Sequence, residues 1–241
     1  MVKQDSDIRE TAGRERPGLP VWKRTLDLAI VLLFLPLLLL LCAVVAALVR
    51  FGSPGPVLFR QRRVGHKGQE FTCYKFRTMQ VNAETGSHRD HTRQLMGAEV
   101  PMTKLDARND SRLIPLGAAL RATGLDELPQ LINVVRGEMS IVGPRPCIPY
   151  EYALYEPWQR RRFDAVPGLT GLWQVSGKNR TTFTQMIRLD IEYSERLNLW
   201  LDLQIILTTL PALWVQCLDM RQPKQKEATL PPAGIAKPAH F

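Results

Sequence analysis

The sequence predicts an α+β chain, mostly helical. Its parts are an N-terminal re-entrant membrane helix hairpin and a small cytosolic domain with a β-hairpin and interfacial amphipathic helices. Three observations predict this. Residues 28–49, LAIVLLFLPLLLLLCAVVAALV, run for 22 positions without a charge. VLFRQR and EFTCYKFRTM flank the Gly-bearing VGHKGQ, which reads as two strands and a loop. The remainder falls into short segments of helical period broken by Gly and Pro.

The apolar run is long enough for a bilayer core of about 30 Å. It is too long, too late and too poor in small-x-small sites for a cleaved signal peptide. A single crossing is the simplest reading, but two features oppose it. Pro36 lies inside the run, where it removes a backbone hydrogen bond and kinks the helix. Arg9, Arg14, Arg16, Lys23 and Arg24 precede the run; Arg50, Arg60, Arg62, Arg63 and Lys67 follow it. Basic flanks stay on the cytoplasmic side, so both ends claim that side. A helix that enters, breaks at Pro36 and returns satisfies both.

The segments expected are 1–20, a flexible polar N-terminus; 21–50, the membrane re-entrant helix; 51–220, the cytosolic domain; and 221–241, a disordered Pro-rich tail. The formal net charge of +9 in 241 residues implies an anionic partner: nucleic acid, membrane surface or phosphorylated substrate. No nucleic-acid recognition motif is present, and much of the basic excess flanks the apolar run, so no nucleic acid is expected. Cys42, Cys73, Cys147 and Cys217 lack ligand spacing and read as reduced, buried thiols. His88 and His91 in SHRDH could bracket a metal, but without a second cluster of ligands a solvated loop is the expectation.

In the second strand, alternation sends Lys75 and Arg77 to one face and Tyr74 and Phe76 to the other. TGLDELPQL then sets Asp126 beside Glu127. Pro129 is cheap only in a first turn, so a helix should begin near Asp126, with Leu128, Leu131, Ile132 and Val135 as its buried stripe. Thr123 and Asp126 fit a capping box, and capping alone could account for the acids. GEMSIVGPRP holds Arg145 between two prolines, stiff enough for a phosphate clamp if it points inward. VPGLTGLWQVSGKNR is a second Gly-rich cationic loop able to cradle a phosphate or a base. Lys75, Arg77, Arg121 and Arg145 around the acidic pair would suit phosphoryl transfer, with Asp126 as a nucleophile and the acids able to hold Mg²⁺.

Further on, RLNLWLDLQIILTTLPALWVQ places Leu199, Leu203, Ile206, Leu210 and Leu213 on one helical face. Asn198, Asp202 and Thr209 lie on the other. With Trp200 and Trp214 it suits a lipid interface, and a core-facing helix fits equally well.

These motifs resemble the bacterial sugar transferases, the monotopic phosphoglycosyl transferases. LDELPQLINVVRGEMSIVGPRP is very similar to that family's signature. YKFRTM, VPGLTGLWQVSGKN and LDIEYSERLNLWLDLQII match further blocks in the family order, over about residues 21–215. The resemblance implies an enzyme on the cytosolic face of the bacterial cytoplasmic membrane. Such an enzyme uses Mg²⁺ to move a sugar-1-phosphate from a UDP-sugar to undecaprenyl phosphate, with release of UMP. It implies Asp126 as covalent nucleophile, Glu127 as Mg²⁺ ligand, Lys75, Arg121 and Arg145 as phosphate binders, and Pro36 as the break in the anchor. The GLWQVSGKN form is similar to the short branch that starts exopolysaccharides with glucose or galactose phosphate.

Three departures stand out: Leu35 where the family often has Ser, Gly124 in place of Ser or Thr, and Val166 in place of Arg. Asp190 lies in a matching block without an assigned role. Membrane lipids, and a second copy of the chain in a homo-oligomer, are further expected partners. The opposing reading is a non-catalytic, membrane-anchored basic scaffold that binds anionic lipids or proteins, with the acids serving only as a helix cap.

Overall fold

Pro20 precedes a long Leu- and Ala-rich segment, and helix α1 runs from Val21 to Gly52. The structure, a computed structural model, describes residues 19–81, 86–98, 100–102, 112–177 and 180–219, with the backbone alone for 86–91 and 213–219. The expected loose N-terminus (all but residues 19 and 20) and the Pro-rich tail lie outside these residues.

The sequence predicted a break at Pro36, but the helix continues through it. A proline removes one N–H and crowds one carbonyl, which kinks a helix without having to end it. At 32 residues the helix is about 48 Å long, enough to cross a bilayer, and its middle is bare apolar surface. Both ends are packed. Lys23, Asp27 and Val31, four residues apart, are buried at one end, and Val45 and Val49 at the other. Val31 meets Val134 and Met139, while Val45 and Val49 meet Phe76, Ile114 and Leu120. Both ends of α1 therefore rest on the same domain.

Ser53 ends α1, and Gly55, with φ of 119°, turns the chain into β1 (Leu58–Val64). β1 pairs antiparallel with β2 (Glu70–Phe76), Leu58 opposite Phe76 and Val64 opposite Glu70, so the expected hairpin is present. Helix α2 spans Gly86–Gly97, so the backbone around His88 and His91 is helical rather than a loop. Their side chains lie outside the description.

Helix α3 is short, Gly117–Thr123, and ends at Gly124 in the left-handed region, φ 74°. The expected capping box is absent, because the Thr123 hydroxyl donates back to Ala119 O and Leu120 O. Glycine is the residue suited to that φ, which accounts for the missing hydroxyl at this position. A 3-10 turn, Leu125–Gln130, follows, and only then α4, Leu131–Val135. The tighter turn shifts the register, since three residues per turn replace 3.6. The buried positions become Gln130, Asn133 and Val134, while Ile132 and Val135, predicted as core, face outward.

β3 (Ser140–Val142) lies parallel to β4 (Gly168–Thr170). Helix α5 (Pro149–Leu154) comes between them in sequence, and α6 (Leu172–Val175) and α7 (Phe183–Glu195) follow. A Cβ at Gly143 would meet Val166 O at 2.2 Å, and one at Gly168 would meet Gly143 N at 2.0 Å. The glycines of the VPGLTG loop thus let two backbones touch.

Helix α8 runs from Leu199 to Asp219. Asp202 and Ile205 are buried against the domain, and Thr209 bonds Thr170 at 2.8 Å. Trp200, Leu207 and Leu210 point away, Leu210 at 74 % exposure. Asp202 and Thr209 thus pack inward beside Leu201 and Ile205, while Gln204 and Thr208 share the exposed surface with Trp200, Leu207 and Leu210.

Candidate active site

A cavity of about 600 Å³, within the range of small-ligand sites, lies among α1, the end of β2, the turn before α4, the GPRP segment, β4 and α8. Its charged centre is assembled by a buried amide. Asn133 is fully buried on α4; its Nδ2 donates to Thr72 O at 2.7 Å, and its Oδ1 accepts from Tyr74 N at 3.3 Å. These bonds hold the turn carrying Asp126 and Glu127 against β2, next to Lys75. Lys75 Nζ donates to Glu127 Oε1 at 2.6 Å, and Arg145 Nη1 lies 3.8 Å from the same oxygen.

Asp126 is 8 % exposed and lines the cavity, as do Glu127, Lys75, Arg121 and Arg145. Five of the six residues expected at the site therefore share one cavity wall. Arg77 does not. It lies just past the end of β2, buried, with Nε to Pro56 O at 2.7 Å and Nη2 to Ser53 O at 2.8 Å. It fastens the turn leaving α1. Strict alternation would have placed it beside Lys75, but the strand ends at Phe76 and the side chain is drawn to the unpaired carbonyls of that turn.

Two arginines that sequence reasoning missed hold the GPRP segment. Arg63 Nη1 donates to Pro146 O at 3.1 Å, and Arg162 Nη2 donates to Arg145 O at 2.9 Å. With these two carbonyls pinned, the Arg145 side chain is directed into the cavity, where it remains 36 % exposed. Burial, together with the neighbouring Arg145 charge, pulls the Arg63 guanidinium below its ordinary value. Arg162 is itself buried, donating to Tyr155 Oη at 2.9 Å and to Asp190 Oδ2 at 2.5 Å. This contact gives Asp190 a place: it neutralises the arginine beneath the clamp.

The signal for Arg63 was available in the strand. Arg60 and Arg62 share one face of β1, exposed, and Arg63 alternates to the other. Arg162 in QRRRFD could not be told from its neighbours by pattern.

Among the described residues, no group of three or more His, Cys, Asp or Glu gathers as a metal site. Mg²⁺ is commonly held by one or two carboxylates together with substrate phosphate oxygens and water. Adjacent Asp126 and Glu127 fit that donor set.

The sequence pattern described as Bacterial sugar transferase matches residues 19–216 of this chain. The chain is 39% identical over 206 residues to "Exopolysaccharide production protein ExoY" of Sinorhizobium fredii, covering 86% of this chain and 91% of that one. It is 40% identical over 217 residues to "UDP-glucose:undecaprenyl-phosphate glucose-1-phosphate transferase" of Caulobacter vibrioides, 82% of this chain and 74% of that one. It is 38% identical over 161 residues to "Undecaprenyl-phosphate galactose phosphotransferase" of Salmonella typhimurium, 64% of this chain and 33% of that one.

Proposed function

The chain belongs to the bacterial sugar transferase family and is a phosphoglycosyl transferase; from that premise we propose that it transfers glucose or galactose 1-phosphate from a UDP-sugar to undecaprenyl phosphate, as the first step of exopolysaccharide synthesis. The observation that carries the reading is the buried carboxylate of Asp126, set in a cavity wall with Lys75, Arg121 and Arg145. A cap or a scaffold contact needs no such enclosure, so the non-catalytic reading is set aside.

The two half-reactions share one site. An Asp126 carboxylate oxygen attacks the phosphorus that bears the sugar. The bond from that phosphorus to the bridging oxygen breaks, and UMP departs with that oxygen. A lipid phosphate oxygen then attacks the same phosphorus, the acyl-phosphate P–O bond breaks, and the Asp126 carboxylate is restored. Arg121 and Arg145 face phosphate oxygens as charge shifts, and Lys75 holds Glu127 in place. Bound between Asp126 and Glu127, Mg²⁺ would supply further charge neutralisation on the diphosphate.

The re-entrant anchor is kept as part of this proposal. Its support is that both ends of α1 rest on one domain while the middle is bare, as expected if both ends lie on the cytosolic side. The outward apolar face of α8 would lie in the same interface, placing the cavity at headgroup depth.

The decisive test is Asp126→Asn with radiolabelled UDP-sugars. The wild type should retain a sugar-phosphate adduct on Asp126 and release UMP before lipid is added, and the variant should do neither. Wild-type transfer by the variant would end the proposal.

A further inference from the structure

The cavity wall changes character away from the dyad. Ile30, Phe34 and Leu38, each four residues from the next, lie along one face of α1 and line the cavity over about 12 Å. Leu169 of β4 and Ala212 of α8 also line it. The hydroxyls of Thr170 and Thr209 in this part bond each other at 2.8 Å, leaving a hydrocarbon surface. Phe34 is also half-exposed on the outer surface of α1, among the bare leucines 32, 33 and 35. One cavity thus joins a cationic centre to the apolar flank of the membrane helix. A water-soluble nucleotide sugar has no use for such a wall, because burial stabilises in proportion to apolar area. A phosphate monoester on a long hydrocarbon matches both ends.

Resting on the reading that the acceptor is a lipid phosphate, we propose that this aliphatic limb binds its first isoprene units, laid along α1 from Ile30 to Leu38. The lipid enters sideways from the bilayer between α1 and α8, and its phosphate reaches the Arg145 side of the dyad. A bilayer phospholipid has a similar tail, but its phosphodiester carries a headgroup where the site requires an open phosphate oxygen.

The test has a binding arm and a kinetic arm, both on the full chain in lipid nanodiscs. A diazirine-bearing polyprenyl phosphate should crosslink to peptides containing residues 30–38, in the wild type and in Asp126→Asn alike. Excess undecaprenyl phosphate should abolish the labelling; excess phosphatidylglycerol should not. In the kinetic arm, Ile30→Trp and Leu38→Trp narrow the limb. Transfer to undecaprenyl phosphate should fall at least tenfold in kcat/KM, and by more than any fall in the rate of lipid-independent UMP release. Leu33→Trp, 74 % exposed and off the cavity wall, is the control and should match the wild type in both. Labels elsewhere in the chain, equal competition by phosphatidylglycerol, or wild-type transfer by both narrowed variants would overturn the assignment. Loss of UMP release in Asp126→Asn with labelling intact separates the catalytic proposal from this one.

Discussion

Lys23, in the first turn of α1, and Asp202, on α8, form an ion pair that is almost wholly buried, 179 positions apart in the chain. Tyr193 of α7 joins them, accepting from Lys23 Nζ at 2.9 Å and donating to Asp202 Oδ1 at 2.7 Å. Three helices are thereby tied at one point.

Removing one partner leaves the other buried without compensation. Lys23→Met or Asp202→Leu alone should cost about 3–5 kcal/mol, and the double variant should recover much of that loss. Unfolding of the detergent-solubilised protein, followed by tryptophan fluorescence, measures the cycle. Strict additivity of the two losses would show that the pair is not coupled.

Lys75 holds Glu127 through a charge-assisted hydrogen bond within the cavity wall. Lys75→Met should lower kcat/KM for UMP release by about 10²-fold, with the thermal midpoint little changed. Lys75→Arg should restore part of the activity. An unaffected rate would remove Lys75 from the site.

Arg77 offers the opposite contrast, because each nitrogen of its guanidinium donates to Ser53 or Pro56. Arg77→Ala should destabilise by about 1–3 kcal/mol through unpaired carbonyls, while KM for the UDP-sugar stays within about twofold. A large rise in KM with unchanged stability would return Arg77 to the substrate.

Burial pushes the Cys147 thiol up to about 12 and raises that of Cys73 as well. A raised thiol pKa keeps the protonated, unreactive form populated at pH 8. Both residues should resist iodoacetamide in the folded protein at pH 8 and label fully in denaturant, as read by peptide mass spectrometry. Rapid labelling of Cys147 in the native protein would mean that the cavity floor opens.

Much of the site was legible because its residues are neighbours in the chain or belong to short motifs. Asp126 and Glu127 are adjacent, Pro144 and Pro146 stiffen Arg145, and alternation places Lys75 on one face of its strand. The missed residues were set by contacts that no local pattern contains. Arg162 resembles the arginines beside it until Asp190, 28 positions later, is brought underneath. Arg77 continues an alternation that the strand itself does not.

The sequence by itself determined the long apolar helix, the β-hairpin, the carboxylate pair and the family, because each is written in composition, in period, or in a motif spanning a few residues. Tertiary structure alone decided which face each helix shows. Asp202 and Thr209, which the pattern set only on the face opposite the leucines, are drawn inward by Lys23 and Thr170, while Trp200, Leu207 and Leu210 stay bare. A periodic pattern separates the two faces of a helix, but which of them is buried depends on the partners that folding brings up and on the solvent, water or lipid, that the other must meet.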